Sequence, residues 1–163
     1  MKRSIVVVLG LLIACDSKAP NPWAVKKWDA ASLAAWADAC AETTGTKTEE
    51  GGGWLSAISA ATNDRRQNMS ACSIAFDQRR GRLEALSASV LNGLAEYDPK
   101  TYRLEYQKQL AVVLELVPAN VRATVRSVAS GPHRRVVEHP FYISGGFISP
   151  SSWHLDISLV KGY

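Results

Sequence analysis

The stretch QLAVVLELVPANVRATVR (residues 109–126) decides the predicted fold, because the spacing of its apolar residues changes here from helical to alternating. In residues 109–117 apolar side chains fill nearly every position, which is typical of a central strand or of a buried helix. Pro118 and Asn120 favour a turn. Residues 121–126 then alternate apolar and polar side chains, the pattern of a strand with one face in solvent. The sequence therefore predicts two strands here, with a buried helix over residues 109–117 as the alternative.

Two more strands are predicted further along the chain. They cover residues 135–143 and 153–160, where apolar and polar side chains again alternate. Gly145-Gly146 and Pro150 lie between them and favour turns. The C-terminal part of the chain is therefore expected to be rich in β-structure.

The N-terminal part of the chain shows helical spacing instead. A helix is predicted over residues 29–43, with Asp29 as its N-cap. Its apolar stripe, at i, i+3, i+4 and i+7, consists of Leu33, Trp36, Ala37 and Cys40. A second, short helix is predicted over residues 54–62. A longer helical region is predicted over residues 64–97, with a break at the polar run 78–82.

Helices first and strands afterwards indicate an α+β fold, with the helices packed on one face of an antiparallel sheet. We expect a single α+β domain over residues 29–163, helical over residues 29–98 and β-rich over residues 99–163. A chain of this size can bury about two thirds of its unfolded surface, which is enough for one hydrophobic core.

Cys40 and Cys72 lie on the apolar stripes of different predicted helices. No C-x-x-C motif is present, which argues against a redox site, and a metal site would need more ligands at suitable spacing. We therefore expect a Cys40–Cys72 disulfide that joins two helices. In the chain-entropy model a loop of this length stabilises the fold by about 3–4 kcal/mol.

The N-terminus carries the features that assign a compartment. Lys2-Arg3 precedes the apolar residues 5–14, and this run ends in Leu12-Ile13-Ala14-Cys15. As a helix it would span about 15 Å, roughly half of a hydrocarbon core, so it is too short for a transmembrane segment. The last four residues resemble the lipobox of bacterial lipoproteins.

That resemblance implies the fate of the N-terminus. Residues 1–14 would be removed as a signal peptide, and Cys15 would receive a diacylglycerol on its sulfur. The protein would then be exported and lipid-anchored to a bacterial membrane, facing the periplasm or the cell exterior. Asp16 directly follows the cysteine and resembles the signal that retains enterobacterial lipoproteins in the inner membrane. It therefore favours the inner membrane over the outer one. The alternative is that Asp16 is an ordinary solvated residue of the tether.

Residues 15–28 are predicted to form a lipidated N-terminus and a tether to the domain. They are rich in proline and lysine, which suits a spacer. Trp23 and Trp28 lie beside lysines and could occupy the membrane interface, where amphipathic rings are favoured. Packing onto the domain is the equal alternative.

The charge of the chain is unevenly distributed. Loss of Lys2 and Arg3 would lower the net charge from +4 to about +2. Residues 99–163 carry eight basic and four acidic side chains. Such a surface can attract anionic lipid or an acidic partner, and an ordinary solvated surface is the alternative. Export and the lack of a dense basic stripe argue against nucleic acid as a partner.

The sequence shows no constellation of residues that is typical of catalysis or metal binding. His133, His139 and His154 are the residues that a zinc hydrolase would use, but their spacings fit no metal motif. The G-x-S-x-G motif of a nucleophilic serine is also absent. We therefore predict no enzyme activity, no metal and no cofactor.

We expect a non-enzymatic binding or accessory module in the bacterial cell envelope, with an envelope protein or a cell-wall component as partner. Arginine and aromatic side chains often anchor interfaces. The predicted surface is the outer face of the sheet and contains Arg122, Arg126, Tyr142, Phe147 and Trp153.

Two alternative functions stay open. One is a hydrolase of peptidoglycan or another envelope glycan, with its acid and base among the histidines and carboxylates. The other is an inhibitor or exclusion factor at the cell surface. Its expected mark is a protruding loop over residues 144–152.

Overall fold

The chain forms three α-helices and one seven-stranded sheet within the residues that the computed structural model describes. These are residue 23 and the ranges 28–43, 45–63, 68–92 and 99–160, with side chains described for all but 61–63, 68, 92 and 99–104. The lipobox, Asp16 and most of the predicted tether lie outside the described residues. None of the described helices has the length and hydropathy that crossing a bilayer requires.

The elements alternate between helix and strand along the chain. In order they are α1 (Ala30–Ala41), β1 (Lys47–Gly51), β2 (Trp54–Asn63), β3 (Asn68–Asp77), β4 (Arg82–Asn92), α2 (Pro99–Leu116), a 3-10 turn (Ala119–Val121), α3 (Arg122–Ala129), β5 (Arg134–Glu138), β6 (Phe141–Ser149) and β7 (Ser152–Leu159).

The strands form one sheet in the order β1-β2-β3-β4-β7-β6-β5, and every neighbouring pair is antiparallel. The sheet consists of two parts with similar topology. In each part helical structure precedes an antiparallel meander: α1 precedes β1 to β4, and α2 and α3 precede β5 to β7. The final strands of the two parts, β4 and β7, pair with each other. As a result β7, the last strand in the chain, is an inner strand near the centre of the sheet.

The hydrophobic core lies between the sheet and the helices. α1 packs on β2 and β3, α2 on β4, and α3 on β5 and β6. Burial alternates along the strands, because successive side chains point to opposite faces. In β7 the buried, helix-facing set is Trp153, Leu155, Ile157 and Leu159. No described helix covers the other face of the sheet.

The predicted α+β class, with helices on one face of an antiparallel sheet, is confirmed, but the predicted order of elements is wrong. Where the structure describes them, the helices predicted over residues 54–62 and 64–97 are strands β2, β3 and β4. The strands predicted over residues 109–117 and 121–126 are helices α2 and α3, so the alternative of a buried helix is confirmed for the first. Helices therefore interleave with strands instead of preceding them.

The first helix and the last predicted strand agree with the prediction, and the strand predicted before it is divided in two. Asp29 caps α1, because its carboxylate accepts a hydrogen bond of 2.8 Å from the backbone N–H of Ser32. The single strand predicted over residues 135–143 is instead two strands, β5 and the start of β6, with a turn between them, whereas the one predicted over residues 153–160 is β7.

Cys40 and Cys72 form the predicted disulfide, with their Cα atoms 5.9 Å apart. Both residues are buried in the core. The sequence predicts a bond between two helices. Because Cys40 lies in α1 and Cys72 in β3, the bond instead joins a helix to the sheet. It thereby fixes α1 against the sheet face that the core covers.

Trp23 and Trp28 pack onto the domain, since both rings are buried. The ring of Trp23 meets Phe141 of β6 edge-on, with the ring centroids 4.7 Å apart. Of the two alternatives for these tryptophans, the described positions therefore favour packing. Trp23 and Trp28 both belong to the predicted tether over residues 15–28, whose other residues lie outside the described ones.

Candidate functional site

The uncovered side of the sheet, here called the open face, has a floor of small side chains. Cross-strand pairing arranges them in rows that run from β2 to β7. The rows are Ser56–Ala75–Ala85–Ser158, Ile58–Ser73–Ser87–Asp156 and Ala60–Ala71–Ser89–His154. Serine and alanine project little from a sheet, so the backbone lies close to the surface along these rows.

Larger apolar side chains surround this floor. They are Trp54, Ile58, Met69, Leu91 and Val137, each between 45 % and 63 % exposed. Pairing assigns them to the open face, because Met69 lies opposite Leu91 and Val137 lies opposite Tyr142. Exposed apolar groups that concentrate on one surface are a mark of interaction sites.

A depression of about 400 Å³ lies in the middle of the open face. Ile58 of β2 and Tyr142 of β6 line its two sides, and Asp156 contributes a carboxylate. Two hydroxyl groups of its floor, Ser73 and Ser87, are 2.7 Å apart and hydrogen-bond each other. These two hydroxyl groups therefore satisfy each other, and the exposed lining of the depression is mostly apolar.

A polar group of four side chains, here called the histidine cluster, adjoins the depression. It consists of His133, Ser144, His154 and Asp156. Ser144 Oγ lies 3.3 Å from His133 Nε2, and His154 Nε2 lies 2.7 Å from Asp156 Oδ2. The centroids of the two imidazole rings are 6.2 Å apart, and Ser144 pairs with Asp156 across β6 and β7. One hydroxyl, two imidazoles and one carboxylate therefore share a patch of the sheet.

Gly146 allows the loop that carries His133 to lie close against β6. Its backbone φ of +113° is one that residues with a side chain rarely adopt. In addition, a Cβ atom at this position would lie 2.5 Å from the carbonyl oxygen of Gly131. The loop is held beside β6 by Phe147 N–H, which donates to the Gly131 carbonyl over 2.9 Å, and by His133 N–H, which donates to the Phe147 carbonyl over 3.0 Å. The sequence predicts Gly145-Gly146 as a turn, whereas both residues lie inside β6.

Asp156 changes the protonation of His154. Its hydrogen bond, together with the attraction of its negative charge, raises the pKa of the imidazole above the ordinary value of 6.5, although partial burial acts in the opposite direction. The cluster therefore carries positive charge at His154 over a wider pH range than a free histidine would allow.

Asp156→Asn is expected to lower the pKa of His154, as followed by NMR titration of the imidazole. A histidine pKa that is raised in the folded state adds stability that is fully present below the unfolded pKa of about 6.5. That contribution is lost as the pH rises through the folded pKa. The wild type should therefore exceed Asp156→Asn in unfolding free energy by more at about pH 5.5 than at about pH 8.5.

Glu138→Gln is the matched control, because Glu138 pairs with the buried Phe141 and so lies on the helix-covered face. It should leave the titration of His154 unchanged. An identical midpoint for His154 in the wild type and in Asp156→Asn would contradict the interaction.

The histidine cluster supplies parts of a nucleophilic site. Ser144 has an imidazole neighbour, but the carboxylate bonds the other histidine, so no Ser-His-Asp chain passes through a single ring. Ser144 is also only 7 % exposed. Within the part of the chain that the structure describes, no group of three or more His, Cys, Asp or Glu side chains is arranged to hold a metal.

The chain matches no family model, no curated protein and no solved structure.

The five residues predicted to form one binding surface do not share a face. Arg122 and Arg126 lie on α3, in the helical layer. Trp153 is buried and donates its indole N–H to the Ala129 carbonyl over 2.8 Å. Phe147 packs against the core, and of the five only Tyr142 lies on the open face. The predicted surface is corrected accordingly, because residues 122–126 are helical and the odd-numbered residues of β7 point inward.

The segment predicted as a protruding loop, residues 144–152, forms the end of β6, a turn at Pro150-Ser151 and the start of β7. The sequence offers His133 and His154 as metal ligands or as the acid and base of a hydrolase, but no pattern in it singles out Ser144 or Asp156. The alternation within β7 is the signal that could have found Asp156, since it places His154, Asp156 and Ser158 on one side of the strand.

Proposed function

We propose that this protein is an exported bacterial lipoprotein, anchored through Cys15, whose domain is a non-enzymatic binding module in the cell envelope. We further propose that the open face binds the partner. The lipobox supports the anchor, and the Cys40–Cys72 disulfide is consistent with an oxidising compartment. The observation that carries the binding role is the set of exposed apolar side chains around a floor of small residues.

Burial of this surface by a partner is energetically favourable. An antiparallel sheet with one solvated face usually presents polar residues to water, whereas the open face presents Ile58, Met69 and Leu91. Apolar area removed from water contributes about 25 cal/mol per Å², less the cost of ordering both partners. The apolar character of the surface favours an envelope protein over a polar cell-wall glycan.

Site-specific photocrosslinking in the living host tests the open face. A photoreactive amino acid at Ile58 or Met69 should give a discrete adduct, because both side chains lie on that face and are half exposed. The same group at Lys108 on α2, whose side chain is 62 % exposed, should give none. Equal adducts from all three positions would overturn the assignment.

Ser73→Arg is expected to reduce the adduct at Ile58 by about tenfold or more. A guanidinium on the floor would overpack the contact, and a loss of about 1.4 kcal/mol already corresponds to tenfold in affinity. Ala123→Arg adds the same side chain to an exposed position of α3 and should leave the adduct unchanged. Retention of the full adduct in Ser73→Arg, with the fold intact by circular dichroism, would reject the open face as the binding surface.

The histidine cluster supports a second candidate function, a hydrolase of peptidoglycan, and a hydroxyl beside an imidazole suits the peptide bonds of that polymer rather than its glycosidic bonds. The supporting observation is the 3.3 Å approach of Ser144 Oγ to His133 Nε2, which suits a hydroxyl nucleophile beside a general base. Release of product from purified cell wall, lost in Ser144→Ala but kept in Ser158→Ala, would favour this function. Absence of release by the wild type would remove it.

A further inference from the structure

Four arginines lie on adjoining elements at one side of the domain, here called the arginine edge. Arg122 and Arg126 are one helical turn apart on α3, and Arg134 and Arg135 begin β5, the edge strand of the sheet. α3 packs against β5, and the Arg134 guanidinium donates a hydrogen bond to Ser127 Oγ on α3. Arg134 lies on the helix-covered side of β5 with the two arginines of α3, and Arg135, opposite Ser144, lies on the open-face side, so the four charges flank one edge of the sheet.

The arginine edge is only weakly neutralised by carboxylates. None of the ion pairs between described side chains involves α3 or β5. Arg122 donates instead to the backbone carbonyl of Val117 over 2.8 Å. Two acidic side chains accompany the edge: Glu115 lines a groove together with Arg122 and Arg126, and Glu138 ends β5. The arginine edge therefore carries four basic and two acidic side chains.

The N-terminal attachment of the domain is on the same side of the sheet. Trp23 packs on Phe141 at the start of β6, and β6 is the strand that pairs with β5. Residues 15–22 can span at most about 28 Å when fully extended. An acyl chain on Cys15 would therefore keep this side of the domain close to the lipid head groups.

Resting on the proposed lipid anchor, we propose that the arginine edge docks on the anionic lipid surface of the membrane that holds Cys15. The anchor holds the domain near the membrane, and the arginines orient the domain on its surface. With β5 toward the bilayer, β1, at the other edge of the sheet, points away from it. The open face then stands upright from the membrane and is accessible to a partner in the envelope.

Vesicle binding of an acyl-free chain tests this docking. The chain from residue 15 onward, carrying Cys15→Ser and an intact disulfide, is mixed with phosphatidylcholine vesicles with and without phosphatidylglycerol. Co-sedimentation is measured at low and at high salt. We expect binding only when phosphatidylglycerol is present, with loss of binding at high salt because ions screen exposed charges.

Arg126→Gln/Arg135→Gln is expected to lower the partition coefficient by roughly 25-fold, since each basic side chain near an anionic surface contributes roughly fivefold. Both arginines are exposed, so the fold should be unaffected. Lys47→Gln/Lys108→Gln removes the same charge from β1 and α2. This matched control should change the partition coefficient by less than about threefold.

Equal binding to both kinds of vesicle, or equal losses in the two double variants, would overturn the proposal. Salt-dependent binding to polyglutamate without binding to phosphatidylglycerol vesicles would assign the edge to an acidic protein and would overturn it as well. The chain in this test carries no acyl group, so its outcome is independent of the lipid anchor. Fatty-acid labelling of Cys15 tests that anchor separately.

Discussion

Replacement of Cys15 by serine is expected to abolish the incorporation of a labelled fatty acid completely, because the lipobox resemblance assigns acylation to that sulfur. In the wild type, intact mass analysis should show loss of residues 1–14 and addition of a diacylglycerol. Each buried CH₂ contributes about 0.8 kcal/mol, so two long acyl chains hold a protein firmly at a bilayer. The measurement is metabolic labelling in a lipoprotein-producing bacterium, followed by mass spectrometry.

Asp16→Asn is the matched control, since it alters the neighbouring residue and keeps the sulfur. It should retain full labelling. In a host that sorts lipoproteins by the residue after the cysteine, it should also move the protein from the inner to the outer membrane fraction. A wild-type protein with an intact Met1 and no added hydrocarbon would reject the lipoprotein proposal.

Replacement of both Cys40 and Cys72 by alanine is expected to lower the unfolding free energy by about 3–4 kcal/mol. The bond spans a sequence separation of 32 residues, so its removal frees a long loop in the unfolded chain. For a domain of this size the melting temperature should fall by roughly 10 °C. Urea unfolding of the oxidised wild type and of the variant, followed by tryptophan fluorescence, measures the difference.

The reduced wild type separates the bond from the packing of the two sulfurs. It keeps both thiols in the core, where Cys40 and Cys72 are each 1 % exposed. If the bond itself is responsible, the reduced protein should unfold close to the double alanine variant. Equal stability of the oxidised wild type and the variant would contradict a stabilising role.

The elements that could be predicted from the sequence are those with local signals. α1 carries a capping residue, Asp29, and a buried stripe at i, i+3, i+4 and i+7. β7 alternates buried and half-exposed residues over its whole length. The disulfide could be predicted because two cysteines remain once Cys15 is assigned to lipid, and both lie at apolar positions.

The β3–β4 hairpin could not be predicted, because a bulge imitates helical spacing. Leu83 and Leu86 are three residues apart, yet both are buried on the same face. The register shift leaves Glu84 as an extra residue in β4, so the alternation skips one position. In addition, alanine is depleted in strands and serine lacks the branched or aromatic side chain that favours them, so their abundance here weakens the β signal.

The sequence predicts a strand where helix α3 lies, because the residues at its start fit both the two-residue period of a strand and the 3.6-residue period of a helix. Val121 and Val125 are four residues apart, a spacing that fits one face of a strand and one face of a helix. Val128 and Ala129, which are also buried, complete the helical stripe at i+7 and i+8. A window that ends at Arg126 therefore excludes the residues that distinguish the two structures.

The histidine cluster depends on tertiary structure alone. Ser144 and Asp156 come together through the register of β6 and β7, which no local pattern encodes. His133 joins them because its loop lies beside β6 at Gly146. The open face likewise follows from the placement of the three described helices on the other side of the sheet.

The position of β7 between β4 and β6 has a consequence for biogenesis. The first four strands and the hairpin of β5 and β6 are joined into one sheet by residues 152–159. A chain that threads through a translocation pore from its N-terminus cannot close this sheet until those residues emerge, because the pairing is long-range and late. Under the proposed export, the two parts of the sheet would therefore join only after residues 152–159 have crossed the membrane.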